Sequence, residues 1–237
     1  MNTTPIITLE NVGCTYTVRK GFLKMGKYEA LKNVSFSINR GETVGIIGRN
    51  GAGKSTLLRL VAGVIQPDSG NIIRHTAVSI SLLTLQLGFS AELTGRDNAI
   101  LGAMFLGHSR KNAIASLNAI NDFAELGQWF NEPLKSYSSG MKARLGFAVA
   151  VEMSPDVLLV DEVLGVGDES FRKKSTAVMK EKMLSGQTVL FVSHNSNTIK
   201  ELCTSVVWIE NGVTKMAGNT NEVLTAYTEY INTNRKI

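Results

Sequence analysis

Residues 48–55 of this chain read Gly48-Arg49-Asn50-Gly51-Ala52-Gly53-Lys54-Ser55. They match the phosphate-binding pattern of Gly, four free positions, Gly, Lys and then Ser or Thr. The glycines let successive backbone N–H groups turn toward one chain of phosphates. Lys54 supplies a positive charge for the terminal phosphates, and the Ser55 hydroxyl is suited to a Mg²⁺ ion. The pattern predicts a nucleoside triphosphate site that runs from Gly48 to Thr56.

The residues on either side of this loop support the same prediction. Glu42–Ile47 is apolar enough for a short buried strand, and Thr56–Ala62 is typical of a helix. A strand, a glycine-rich loop and a helix in this order direct the N-terminus of the helix at a phosphate.

The composition is that of a globular protein with a sizeable core. The chain has 237 residues, of which 43% are hydrophobic and 19% charged, enough for one large or two small domains. The net charge of +5 suits nucleic acid or an anionic membrane surface and selects neither. We expect no signal peptide, no apolar run near the roughly 18 residues of a membrane span, and two reduced thiols at Cys14 and Cys203.

Apolar periodicity predicts an α/β core with a helical insertion. The predicted strands are Ile6–Tyr16, Val34–Ile38, Val157–Val160, Thr188–Val192 and Ser205–Ile209. Residues 92–154 favour helix, with one shared face formed by Ile114, Leu117 and Ile120, and a C-terminal helix presents Val223, Leu224, Tyr227 and Ile231. We therefore expect one domain, with a core of about 1–87 and 156–237 and a helical subdomain of about 88–155.

A basic and apolar segment separates the first two strands. Residues 18–27 combine four basic side chains with Phe22, Leu23 and Met25. Two interpretations stay open: a solvated loop with a few apolar residues tucked under it, or a segment that lies against a membrane or a membrane protein.

Three further places carry residues suited to ATP chemistry. Asp161 and Glu162 follow a buried strand, where α/β sheets bind ligands; Asp161 could reach Mg²⁺ through water, and Glu162 could polarise the attacking water. His194 follows another strand and is either structural or near the γ-phosphate. Residues 138–140, Ser-Ser-Gly, precede a helix and are either an ordinary N-cap or an anion contact.

Taken together, these residues resemble the ATPase subunit of an ABC transporter. Five motifs occur in that family's order over most of the chain. They are the phosphate loop, the segment Tyr137–Met141, the pair Asp161-Glu162, Asp168 and His194. The resemblance implies a P-loop NTPase core, which is a RecA-like parallel sheet with an N-terminal antiparallel portion, plus a helical subdomain. It also implies ATP and Mg²⁺ as ligands, and a second copy of the chain as a partner.

The resemblance assigns a role to each candidate residue. Two copies would pack head to tail, so that Ser138, Ser139 and Gly140 of one copy contact the ATP held by the phosphate loop of the other. The remaining roles are Glu162 as general base, His194 as γ-phosphate sensor, Asp168 at the dimer seam, Gln86 toward magnesium and the membrane partner, and Tyr16 stacked on adenine. Tyr16 could instead be an aromatic residue of the core, and Tyr28 is then the alternative for stacking on adenine.

Departures from the common family pattern resemble one branch, the exporters of cell-surface polysaccharides. Tyr137-Ser138-Ser139-Gly140-Met141 replaces Leu-Ser-Gly-Gly-Gln, Val163 stands where Pro is frequent, and residues 92–98 read Glu-Leu-Thr-Gly-Arg-Asp-Asn. The branch implies a lipid-linked O-antigen, capsule or teichoic acid as substrate. It also implies a separate membrane permease in two copies and a peripheral location on the cytoplasmic face of the plasma membrane. Some members carry a C-terminal glycan-binding domain, which we expect to be absent here.

Three alternatives remain at this point. The first is an ABC ATPase for another exported substrate. The second is a soluble ABC-type ATPase that acts on nucleic acid or the ribosome; such proteins usually have two cassettes or a long coiled coil, so we expect no nucleic acid partner. The third is a small-molecule kinase with the same loop, which would need an acceptor pocket and a lid.

Overall fold

The computed structural model describes residues 4–19, 25–83, 88–161 and 167–234. In chain order the strands are β1 (Pro5–Arg19), β2 (Met25–Asn39), β3 (Thr43–Ile47), β4 (Ser69–Arg74), β5 (Ile80–Leu82), β6 (Val157–Asp161), β7 (Thr188–Val192), β8 (Ser205–Glu210) and β9 (Val213–Asn219). The helices are α1 (Lys54–Ala62), α2 (Gly95–Phe105), α3 (Arg110–Ala115), α4 (Leu117–Ala124), α5 (Ser139–Glu152), α6 (Glu169–Leu184), α7 (Ser196–Leu202) and α8 (Thr220–Asn234).

The chain divides into two compact units. The first consists of Met1–Val78 and Met183–Ile237, and the second of Ser79–Lys182.

The first unit is built on a mixed sheet. Its strands follow the order β4-β1-β2-β9-β8-β3-β7. β1 is antiparallel to β2 and to β4, whereas β3 is parallel to both β7 and β8. Every residue of β3 and β7 is buried, as expected for strands inside a parallel sheet. The predicted parallel core with an N-terminal antiparallel portion is confirmed.

The second unit is mainly helical. The core of its helical part is formed by apolar side chains of α2, α4 and α5, which include Ala99, Ile100, Leu117, Ile120, Leu145, Ala148 and Val149. The predicted shared face of Ile114, Leu117 and Ile120 is wrong. The chain turns at Ser116, which ends α3 and begins α4, so Ile114 is 37% exposed while Leu117 and Ile120 are buried.

The C-terminal helix α8 belongs to the first unit. Val223 and Leu224 are buried, and the rings of Tyr227 and Tyr230 lie 5.5 and 5.0 Å from the ring of Trp208 on β8. The apolar face predicted for this helix is therefore the face that packs on the sheet. Among the described residues, the helices are all too short or too polar to cross a bilayer.

Candidate nucleotide-binding site

The phosphate loop leaves β3 and ends at the first residue of α1. Gly48 has a φ of +152° and Gly53 a φ of +101°, a region that side chains avoid. A Cβ at Gly48 would collide with the carbonyl oxygen of Ile209, and a Cβ at Gly53 with that of Ala30. Only glycine therefore fits these two positions, and the resulting curl directs the N-terminus of α1 at the place where an anion would bind.

Lys54 lies inside this loop. Its side chain is buried, and its Nζ donates to the carbonyl oxygens of Gly48 at 2.8 Å and Arg49 at 3.0 Å. Ser55, on the next position of α1, is exposed. A cation fixed within a ring of backbone groups, beside an exposed hydroxyl, fits a triphosphate with its magnesium ion.

Two tyrosines border the loop. The hydroxyl oxygen of Tyr16 lies 3.4 Å from Oγ1 of Thr56, and the Tyr28 hydroxyl donates to the carbonyl oxygen of Gly51 at 3.2 Å. Tyr16 is half-buried and Tyr28 is 47% exposed. Both candidates for the adenine-stacking residue thus stand beside the loop.

His194 reaches the same edge of the sheet as the phosphate loop. Ile46 of β3 pairs with Val192 of β7 in parallel, so Gly48 and His194 each follow two residues beyond this pair. The His194 side chain is exposed, and together with Arg49 it lines a cleft of about 530 Å³ whose other wall is α8. The ends of β3 and β7 therefore bring the phosphate loop and His194 to the same edge of the sheet, as the sequence predicts.

Ser138, Ser139 and Gly140 begin α5 in the second unit. Ser138 is the N-cap, and its Oγ accepts the N–H of Met141 at 3.1 Å, so the N-cap interpretation is correct for this residue. Ser138 and Ser139 are exposed, and a Cβ at Gly140 would find open space apart from the Ser138 hydroxyl at 3.8 Å. The contact of these residues with ATP stays a prediction.

Tyr137 anchors this helix start in the helical core. Its ring is buried and its hydroxyl donates to the Trp129 carbonyl oxygen at 2.6 Å. Burial, and next the charge of Glu132, raises the pKa of Tyr137 to about 12. A Cβ at Gly95 would collide with the Tyr137 hydroxyl. The glycine of the segment 92–98 therefore leaves space for the tyrosine of the segment 137–141.

Asn98, the last residue of the segment 92–98, has a structural role that the sequence analysis did not assign. It is fully buried on α2, and its amide donates to the carbonyl oxygens of Ser90, Leu93 and Thr94 at 2.8–3.0 Å. Its Oδ1 accepts the Ser90 N–H at 2.7 Å. A buried amide with all these groups satisfied fixes the loop that leads into α2. The spacing of four residues between the helix-capping Thr94 and Asn98 was the sequence signal that could have indicated this role.

Asp168 stands directly before α6. Its Oδ1 accepts the N–H of Phe171 at 3.0 Å and the hydroxyl of Ser170 at 2.9 Å. The hydrogen bond from the Phe171 N–H, followed by that from Ser170, holds the pKa of Asp168 below its usual value. The residue is therefore a charged cap of α6 at neutral pH, with its carboxylate exposed.

Of the remaining candidates, Asp161 is the one that falls within the described residues. Asp161 is the half-buried last residue of β6. Glu162, Val163 and Gln86 lie outside the described residues, as do residues 20–24 of the basic and apolar segment.

Comparison with known proteins identifies the class of this protein. The family model described as "ABC transporter" matches residues 31–165. The chain belongs to the ABC transporter ATP-binding family, and it is an ATPase with a nucleotide-binding domain, as predicted.

Similar proteins indicate the branch of this family to which the chain is related. The chain is 47% identical over 205 residues to the O-antigen export system ATP-binding protein RfbB of Klebsiella pneumoniae. The aligned residues cover 86% of this chain and 83% of that protein. It is 40% identical over 209 residues to the teichoic acids export ATP-binding protein TagH of Bacillus anthracis, covering 88% of this chain and 38% of that protein. The resemblance to the branch of polysaccharide exporters is confirmed.

Solved structures agree with the fold. One ATP binding subunit of an ABC transporter has a TM-score of 0.75 at 23% identity, covering 94% of this chain and 93% of its own. A dimeric ATP-binding cassette in a post-hydrolysis state with ADP and Pi has a TM-score of 0.70 at 24% identity, covering 90% and 98%.

Proposed function

We propose that two copies of this chain bind ATP between them, hydrolyse it, and thereby drive export of a lipid-linked cell-surface polysaccharide through a separate membrane permease. The substrate is of the O-antigen, capsule or teichoic acid class. The chain works at the cytoplasmic face of the plasma membrane, bound to two copies of the permease.

The phosphate loop is the observation that carries the ATP part of this proposal. Its backbone curl admits only glycine at Gly48 and Gly53, and it surrounds the buried ammonium group of Lys54. A positive charge held by the loop carbonyl oxygens, next to the N–H groups of a helix N-terminus, stabilises a polyphosphate more than any neutral ligand. Residues 49–52 form the rest of the loop. Tyr16 would stack on the adenine ring, with Tyr28 as the alternative.

Magnesium would be held by Ser55 and, through water, by Asp161, with Gln86 as a further oxygen ligand. All three offer the oxygen atoms that this ion prefers. When bound, the ion neutralises charge on the phosphates. Glu162 would take the proton of the attacking water, and His194 would donate a hydrogen bond to the γ-phosphate.

The second copy supplies the other half of the site. Ser138, Ser139 and Gly140 are exposed or half-exposed at the N-terminus of α5, where N–H groups and hydroxyls favour an anion. In a head-to-tail dimer they would meet the γ-phosphate of the partner's ATP, and Asp168 would lie at the seam. ATP would thus favour the closed dimer because it makes contacts that ADP lacks.

The export part rests on the similarity to relatives whose names state O-antigen or teichoic acid export. It is tested by deleting the gene and restoring it with wild type or with Lys54→Ala, followed by blotting for surface polysaccharide. Wild type should restore the polysaccharide and copurify with a multi-span membrane protein, and Lys54→Ala should restore none. Unchanged surface polysaccharide in the deletion strain, with salt-sensitive copurification of RNA, would instead support the soluble ATPase.

A further inference from the structure

Three helices of the second unit meet at one junction, to which each contributes an aromatic ring and a charged side chain. The members are Phe123 with Glu125 from the C-terminal end of α4, Phe147 with Arg144 from α5, and Phe171 with Lys174 from α6. The three rings pack against one another with centroids 5.7–6.1 Å apart. We call these six residues the three-ring junction.

Glu125 connects the two cations of the three-ring junction. One carboxylate oxygen lies 2.7 Å from Nζ of Lys174, and the other lies 3.9 Å from Nη1 of Arg144. Glu125 caps α4 with a φ of 54°, a position where glycine or asparagine is favoured. A glutamate in such a backbone position indicates that its side chain is used.

Arg144 in turn touches the segment that contains Asp168. Its Cγ lies 3.2 Å from the place that a Cβ on Gly167 would occupy. Its guanidinium group lies 5.7 Å from the centroid of the Phe171 ring. Lys174 is fixed from the other side, because its Nζ also donates to the Phe123 carbonyl oxygen at 3.0 Å and lies 4.7 Å from the Phe123 ring centroid.

The two helices joined in this way begin at residues that the proposed function places at the dimer interface, Ser138 against the partner's ATP and Asp168 at the seam. Ser138 caps α5, and Asp168 precedes α6 and accepts from Phe171, a member of the junction. We propose that Glu125 is a positioning residue, which holds Arg144 and Lys174 so that the start of α5 and the Asp168 segment approach the partner's nucleotide as one rigid body. The proposal rests on the proposed function, since it concerns the half-site that one copy offers to the other.

The ion pairs of Glu125 are partly exposed, with side-chain exposures of 46% for Glu125 and 18% for Arg144. Exposed pairs of this kind add little to global stability. Removing the charge of Glu125 should therefore change the relative placement of the two segments without unfolding the protein.

The test compares Glu125→Gln and Lys174→Gln with Lys173→Gln. Lys173 is adjacent to Lys174 on α6, but within the described part of the chain its ion pair is with Glu169 of the same helix alone, at 2.9 Å. It is therefore a matched control for Lys174→Gln, with the same change of net charge, whereas Glu125→Gln changes the net charge in the opposite direction. Amide hydrogen exchange is measured over residues 139–142 and 168–172, and ATP turnover is measured as a function of ATP concentration.

For Glu125→Gln and for Lys174→Gln we expect faster exchange in both segments together and a fall in kcat of about 2- to 30-fold, the usual range for coupling of this kind. Binding of ATP to one copy should be unchanged, because the phosphate loop is intact. The double variant, Glu125→Gln with Lys174→Gln, should lose less than the sum of the two single losses, since both substitutions remove the ion pair between Glu125 and Lys174. Lys173→Gln should behave as wild type.

Equal kcat and exchange in Glu125→Gln, Lys174→Gln and Lys173→Gln would overturn the inference, and so would faster exchange in only one of the two segments. An ATP-dependent dimer of the chain is measured in parallel by light scattering in a Glu162→Gln background, where slow hydrolysis should keep the dimer closed. If this chain dimerises and the Glu125 and Lys174 variants match the control, Glu125 has no positioning role while the proposed function stands. If it stays monomeric with Mg²⁺ and ATP, the proposed function itself fails.

Discussion

Tyr16 and Tyr28 are directly opposite each other in the antiparallel pair of β1 and β2, and the hydroxyl of each lies at the phosphate loop. Opposite residues of an antiparallel pair point to the same face of the sheet. The loop therefore has an aromatic border that is built from two strands far apart from it in the sequence.

Replacing Tyr16 by Ala should weaken ATP binding by about 5- to 150-fold, which corresponds to the roughly 1–3 kcal/mol of stacking between a base and an aromatic ring. Tyr16→Phe, which keeps the ring, should bind as wild type. Calorimetric titration with ATP measures both. A large loss in Tyr28→Ala with no loss in Tyr16→Ala would move the adenine to the other tyrosine.

Lys54→Ala should weaken ATP binding by about 10- to 150-fold, because hydrogen bonds that involve a charged group contribute about 1.5–3 kcal/mol. ATP hydrolysis should be lost with it. Phosphate release and fluorescent-nucleotide binding are the measurements, with the exposed Lys111→Ala as control. Turnover at the wild-type rate in Lys54→Ala would refute the assignment of the phosphate loop.

Tyr137→Phe should destabilise the second unit by about 0.5–1.5 kcal/mol at neutral pH, since it removes the hydrogen bond to Trp129. The folded state raises the pKa of Tyr137 from 10.0 to about 12, so it favours the neutral phenol. The stability linked to this residue is present below pH 10 and declines as the pH rises toward 12. The deficit of Tyr137→Phe should therefore shrink as the pH rises from about 10 toward 12.

Chemical unfolding at several pH values measures this difference. Tyr28→Phe, which alters an exposed tyrosine, is the control. A deficit of Tyr137→Phe that stays constant from neutral pH to about pH 11 would show that burial does not hold the Tyr137 phenol neutral.

Glu162→Gln should retain ATP and hydrolyse it about 100- to 10,000-fold more slowly, because removal of a general base typically has that effect. The slow step should trap ATP in the closed dimer. Single-turnover hydrolysis combined with size-exclusion chromatography detects both. Hydrolysis at the wild-type rate would exclude Glu162 as the base.

The fold was predictable where adjacent residues form a motif or where a strand is buried on both faces. The phosphate loop, β3 and α1 are read from adjacent residues, and the short apolar runs gave β6, β7 and β8 because parallel strands are buried on both faces. The edge strand β4 and the hairpin strand β9 were not predicted, since exposed positions in both reduce the apolar pattern. The break at Ser116 was missed because the three-residue spacing of Ile114, Leu117 and Ile120 continues across it, although serine favours helix caps over helix interiors.

The candidate site was predictable residue by residue but not in its connections. The order of the motifs indicated the loop, the Ser138 helix start and His194. The contact of Gly95 with Tyr137, and the links from Glu125 to Arg144 and Lys174, join residues that are 19 or more positions apart. Such pairings depend on how the helices pack, which no periodicity in a single sequence encodes.

The central claim is that one copy completes the ATP site of the other, and cysteine cross-linking tests it most directly. Asn50→Cys and Ser139→Cys place thiols on the exposed loop and the exposed start of α5, while the native Cys14 and Cys203 are buried. Burial raises the pKa of Cys203 to about 12, which keeps this thiol unreactive. In a Glu162→Gln background with Mg²⁺ and ATP, the double variant should form a cross-linked dimer with a short bismaleimide, and neither single variant should match it. Cross-linking that does not occur, or that is the same without nucleotide, would contradict the account.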